Sequence, residues 1–279
     1  MAISGTNSTT LDDLFVNIVA QARFTAEEQS LMMGLVTQYN IAGQAGKTVQ
    51  IPKYPAVTAA ALDEGTAPTD TDVSTSSVTV TCAEVGNTVL LTDLAAMGAG
   101  NPAQELGTVL GNAIATKIDK DLIALFSGFS GALGAAGAEL SAADIFKAVA
   151  TLRANSVVGN LAAVVHPFQA YALKSTLTNT FAPNTSNDLV NEAMRNGYVG
   201  SIAGVDVYES PNLAVDSDGD SVAAVFAPEA LAIALKSEFN LETQRNATRR
   251  GTELVATAIY GVAELDDSYG VKISADSVL

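Results

Sequence analysis

Apolar residues recur at helical spacing at the start of the chain and switch to alternation after Gly46. In "TTLDDLFVNIVAQARF", Leu11, Leu14, Phe15, Ile18, Val19 and Ala22 form one stripe. Thr10 can cap it, with Asp13 three residues on, so residues 10–24 are predicted as a helical arm. A second helical piece is predicted over "TAEEQSLMMGLVTQYN", opening at Thr25 with Glu28 in the box position. From residue 48 to 92 everything reads extended. Val78, Val80 and Cys82 share one strand face, and Thr79 and Thr81 the other. Between the flanking strands, "ALDEGTAPTDTDVSTSS" has too few apolar residues to fold alone. The pattern predicts a long hairpin projecting from the body. A lone two-stranded hairpin is marginal in water, so this one needs another surface to lean on.

The clearest helix follows in "NPAQELGTVLGNAIATKIDKDLIALF". Asn101 caps it, Pro102 takes the first helical position, and Gln104 completes the box. Its wide face holds Leu106, Val109, Leu110, Ala113, Ile114, Lys117, Ile118, Asp121, Leu122 and Leu125. At ~1.5 Å per residue it reaches about 40 Å, the span of a domain. A glycine-rich stretch from Ser127 stops it. Residues 140–235 read as mixed. "SAADIFKAVATLRANS" is a capped helix with Ile145, Val149 and Leu152 inward, and "LAAVVHP" a buried strand. Helices are predicted from Pro167 and over "NDLVNEAMRNG", and strands over "VDVYES" and "SVAAVFAP" on either side of the turn "DSDGDS". The end of the chain reads as two long strands joined at "NATRRG". The fold class is α+β.

Composition narrows the function. Of the 279 residues 48% are hydrophobic but only 6% aromatic, with no Trp, so Ala, Val, Leu and Ile must build the core. No apolar run reaches the ~18 residues of a membrane span, and the start lacks the pattern of a secretory signal. The net charge of −16 repels nucleic-acid backbones, so any DNA nearby would be faced without sequence-specific grip. The single cysteine, Cys82, excludes an intrachain disulfide.

The candidate chemistry is sparse. Gly46-Lys47-Thr48 resembles the end of a phosphate-binding loop, but Ile41 stands where the first glycine is required. An extended Pro-containing segment, not a helix, follows. The motif reads as a glycine turn into a strand. Asp216, Asp218 and Asp220 suggest a calcium loop, but the glycine is misplaced and Ala227 stands where the bidentate Glu belongs. His166 is the only histidine, Cys82 lacks an activating context, and "GFSGA" around Ser130 lacks the last glycine of a nucleophile elbow. No catalytic, cofactor or metal residue is assigned, and the chain is expected not to be an enzyme. Arg245, Arg249 and Arg250 cluster at a hairpin tip, flanked by Glu242 and Glu253. They read either as interface salt-bridge donors or as a solvated turn.

An arm, a projecting hairpin and a long strut make poor sense in a monomer. Their order resembles the Hong Kong-type fold of tailed-phage major capsid proteins, shared with encapsulins and the floor of herpesvirus shells. The resemblance is carried by "GKTVQIPKYPAVTAAALDEGTAP", the helix at Asn101, "VVHPFQAYALKS", "AGVDVYESPNL" and the closing strands. It implies an N-terminal arm (1–47), an extended loop (48–92), a peripheral domain with a spine helix (93–129), an axial domain (130–235) and peripheral strands (236–279). The expected role is the major capsid protein of a double-stranded DNA phage, self-assembling through pentamers and hexamers. An encapsulin-like compartment or a secreted surface-layer protein are the alternatives. Leu62, Pro68 and Val73 in the loop, with Arg245, Arg249 and Arg250, are the candidate intersubunit contacts. The expected partners are further copies of the chain, a separate scaffolding protein, a portal and a decoration protein. No cofactor or membrane is expected. The expected location is the virion, assembled in the host cytoplasm.

Overall fold

The computed structural model describes residues 30–55, 72–94, 102–181 and 198–278, with a few single positions between 57 and 70. The arm predicted over residues 10–24 and the helix predicted over "NDLVNEAMRNG" lie outside the described residues.

After a 3-10 turn at Met32–Gly34 comes β1 (Thr37–Asn40), where the sequence pattern predicts helix. Tertiary pairing overrides the helical pattern, because β1 lies parallel to the start of a long strand, Thr37 opposite Ala232. Next come β2 (Thr48–Lys53), β3 (Ser76–Thr81) and β4 (Ala83–Thr92). The hairpin forms as β2 against β3, antiparallel, with Val49 opposite Val80; its first strand precedes "YPAVTAAA", the flank that reads as strand in the sequence, whose described residues form no strand. β4 does not project with it. Its ten residues pair along β11 (Gly251–Glu264), which itself pairs with β10 (Leu231–Asn246). The order β1-β10-β11-β4 makes the first sheet.

The predicted strut is α1 (Pro102–Ala124). Its inward stripe is Leu110, Ile114, Ile118 and Leu122, at helical spacing, while Val109 is exposed. Leu110 packs on Leu254 and Ala256 of the first sheet. Twelve residues on, Leu122 and Ile123 enter the main core, and beyond them Phe126 meets Phe226 at 5.4 Å between ring centroids. One rigid helix therefore ties the long-strand sheet to the second layer.

That layer is a six-stranded sheet of order β5-β12-β9-β6-β8-β7. Its strands are β5 (Gly131–Gly134), β6 (Leu161–Val165), β7 (Tyr198–Ile202), β8 (Val205–Glu209), β9 (Asp220–Phe226) and β12 (Gly270–Asp276). β6 is buried at all five positions, as a central strand must be. Two helices accompany it. α2 (Ala142–Ala154) starts with Ser141 and Asp144 in a reciprocal capping box, and Ile145, Ala148 and Leu152 are its buried positions. α3 (Pro167–Phe181) carries the parallel crossover from β6 to β8.

The sheet pairing was not visible in the sequence order. β8 and β9 do not pair across the Asp-rich turn, because β6 lies between them. The last strand, β12, pairs with β9 and β5 and so lies in the six-stranded sheet, away from the long strands before it. No helix of the described residues is long and apolar enough to cross a membrane.

Candidate assembly surfaces

The β2–β3 hairpin is anchored at its base. Val80 and Cys82 are buried against Ile41 and Ala234, with Val49 and Ile51 packed alongside. The chain leaves the first sheet directly over β11. A Cβ on Gly261 would stand 2.5 Å from the Thr81 carbonyl oxygen and 3.1 Å from the Cys82 nitrogen, so only glycine admits this crossing. Two lysines add polar ties. Lys236 Nζ donates to the carbonyls of Gln44 (3.3 Å) and Gly46, and Lys53 pairs with Asp266 at 2.7 Å. That pairing and the bonds from Ser268 hold the Asp266 carboxyl below its ordinary pKa, although burial opposes them.

These contacts also explain Gly46-Lys47-Thr48. Gly43 and Gly46 take φ of +80° and +96°, and the Lys47 carbonyl accepts the Cys82 N–H at 2.7 Å. Thr48 then opens β2 opposite Thr81. No helix N-terminus follows to cradle a phosphate. The motif is the turn at the base of the hairpin.

Beyond Lys53 the described apolar side chains face water: Tyr54, Val57 and Val73 are 69%, 55% and 49% exposed. Val73 is thus available for contact. Leu62 and Pro68 lie outside the described residues.

The β10–β11 tip carries the arginines. Arg245 makes a two-armed pair with Asp93, at 2.6 and 2.8 Å, and this bonding draws the exposed Asp93 carboxyl below its ordinary pKa. Arg249 pairs with Glu253 at 3.2 Å. Asn246 folds the turn by accepting from Thr248 and from the Arg249 N–H. Arg250 takes a left-handed φ of +46° and makes no ion pair among the described residues. Two of the three arginines thus have carboxylate partners within the chain. Arg250 has no carboxylate in ion-pair contact among the described residues, although its charge also acts on Asp93.

Sequence reasoning missed Asp93, Lys236, Asp266 and Gly261, whose partners are far away in the chain. It also missed Asp119 of α1, which is 2% exposed. The Asp119 carboxylate accepts from Ser30 Oγ (2.8 Å) and from the N–H groups of Leu31 (3.3 Å) and Met32 (3.1 Å), with the Asn212 amide as a fourth donor. Burial nevertheless raises its pKa.

The residues weighed for chemistry are dispersed. Cys82 is buried in the hairpin base, and burial pushes its thiol up. His166 ends β6, its Nδ1 accepting from the Phe168 N–H at 3.4 Å. Ser130 donates to Asp267 through both its N–H and its hydroxyl. Asp216 accepts from the N–H groups of Asp218 and Asp220, while Asp220 accepts from Gly137. No group of three or more metal-ligating side chains gathers among the described residues.

A sequence family described as phage capsid protein matches residues 77–273, from the second hairpin strand to β12. The chain belongs to that family. This capsid subunit has no match among curated proteins by sequence. In structure it is similar to the capsid of cyanophage P-SCSP1u, at TM-score 0.69 and 16% identity over 89% of each chain. It is similar to a structure of Mycobacterium phage Che8, at 0.64 and 22% identity over 82% of this chain and 84% of that one. A virus-like particle from Pyrococcus furiosus matches at 0.62 and 10% identity, over 93% and 98%. The fold is the phage capsid fold. The capsid subunit is a structural protein of the virion shell, and such a shell is made of copies of itself.

Proposed function

We propose that the subunit assembles through pentamers and hexamers into an icosahedral shell around double-stranded DNA. The β2–β3 hairpin bridges each copy to the next. The observation that carries this reading is the hairpin's own construction. Its base is fixed by buried packing and by Lys236, and Lys53 ties the outer end of β2 to Asp266, while its outer apolar residues find no cover in the described part of their own chain. A neighbouring copy supplies that cover, with Leu62, Pro68 and Val73 as anchors. Rings close through such head-to-tail contacts, and many weak contacts sum to a stable shell.

Arg250, with Arg245 and Arg249, belongs to a second contact between capsomers. The domain boundaries follow the same scheme, with an arm at the start, an extended loop that ends with β3 because β4 pairs along β11 in the first sheet, and peripheral and axial parts beyond. A scaffolding protein, a portal and a decoration protein complete the particle, which is put together in the host cytoplasm. The subunit does no catalysis. Its acidic surface lets packaged DNA slide without sticking.

The test replaces Tyr54, Val57 and Val73 together by Asp. All three are exposed, so thermal unfolding of the subunit is expected to be unchanged within ~1 kcal/mol. Shells, counted by electron microscopy, are expected to be lost. Normal shells from the triple variant would remove the hairpin from the contact.

A further inference from the structure

A groove of about 510 Å³ opens between the last turns of α1 and the loop 211–214. Its lining is mostly apolar, from Ile123, Ala124, Leu213, Ala214 and Val222. Lys120 also lines it, exposed and with no ion pair among the described residues. Nothing described fills this groove.

The chain itself arrives beside it. Ser30 and Met32 bond Asp119, the residue before Lys120, and the Asn212 that also donates to Asp119 is part of the groove lining. The 29 residues before Ser30 therefore join the body next to the groove. Within them the sequence sets out an apolar stripe of Leu11, Leu14, Phe15, Ile18, Val19 and Ala22, with Asp12 and Asp13 beside it. The eight steps from Ala22 to Ser30 span at most roughly 27 Å, enough to bring the stripe back over its own groove.

We propose that the groove is the seat of the chain's own N-terminal amphipathic segment, residues 11–22. The stripe fills the apolar lining, and Asp12 and Asp13 meet Lys120. Seating matches an apolar stripe to an apolar groove that no described residue fills, and an acidic pair to a cation with no ion pair among the described residues. It gives the unassembled subunit a way to keep its arm covered.

The chain has no Trp, so Phe15→Trp in the full-length protein creates a single fluorescent reporter. Its emission is expected to be blue-shifted and shielded from iodide. Adding Ala214→Glu is expected to shift it red and expose it. Lys120→Glu is expected to do so in part, with recovery when Asp12 and Asp13 are changed to Lys in the same chain. Ala214 and Lys120 are exposed, so these changes leave the core intact, and circular dichroism checks this. Solvent-like emission from Phe15→Trp alone, or blue emission indifferent to Ala214→Glu, would overturn the proposal. A second readout fixes whose arm is seated. Phe15→Cys with Ala214→Cys, oxidised in dilute solution, is expected to crosslink within one chain and run as a monomer on a non-reducing gel. A crosslinked dimer would give the groove to a second copy and also overturn it. Neither readout depends on shell formation, so the two proposals fail separately.

Discussion

Asp119 shows how one buried group can carry a structural join. Its carboxylate takes four donors where residues 30–32 meet α1, yet it has no cation partner among the described residues. Removing it would leave buried donors unsatisfied, so Asp119→Ala is expected to cost about 1–3 kcal/mol in denaturant unfolding. The pH dependence has a definite sign. Burial raises its folded pKa above the unfolded value, so between those two values the folded chain holds more protons than the unfolded one. Its contribution to stability therefore falls as pH rises through that window. Asp93, Asp144 and Asp266 are held low and act oppositely: their stabilisation is lost as pH falls through their folded values. Stability measured against pH should thus lose the Asp119 component in Asp119→Asn and keep the rest. An unchanged profile would mean that Asp119 titrates like an exposed carboxylate. Arg250 supplies a second expectation at this scale. Arg249 is already matched by Glu253, so Arg250→Ala should weaken assembly more than Arg249→Ala in a light-scattering assay. Neither change should cost the subunit more than about 1 kcal/mol.

Among the elements, local chemistry made some legible and hid others. α1 is announced by Pro102, α2 by the Ser141–Asp144 box, and the long hairpin by "NATRRG" between alternating strands. These signals act over three or four residues, within reach of sequence reasoning. β1 was lost because its strand character comes from a neighbour almost two hundred residues away. β12 reads as another strand after β11, and nothing local says that it changes sheet. The hairpin was legible, but the angle at which it leaves the body was not. That angle is set at Gly261, where β3 turns off the sheet against β11. Gly261→Ala pushes a methyl into the Thr81 backbone and is expected to cost about 1–3 kcal/mol in chemical denaturation. Lys236→Ala, which removes exposed hydrogen bonds only, should cost less than about 1 kcal/mol. Equal, negligible effects would mean that the crossing is not tight. The candidate contact residues were the least legible feature. Three arginines close together at one hairpin tip look alike in sequence, and only the fold shows that Asp93 and Glu253 already occupy two of them.

At the scale of the molecule, α1 joins two sheets into one body with one main core, and the hairpin and tip extend from it. The core is mostly Ala, Val, Leu and Ile around a cluster of Phe126, Phe129 and Phe226, and the net charge of −16 opposes the approach of free copies. Assembly must overcome that repulsion through contacts at the extensions. The hairpin is the extension on which assembly is expected to depend most. Electron cryomicroscopy of particles formed by the full-length chain tests this dependence most directly. Closed shells with five-fold vertices are expected, in which residues 48–81 of each copy lie against the next copy and bury Tyr54, Val57 and Val73. Particles in which those residues touch only their own chain, or a chain that stays monomeric at every concentration and salt, would contradict it.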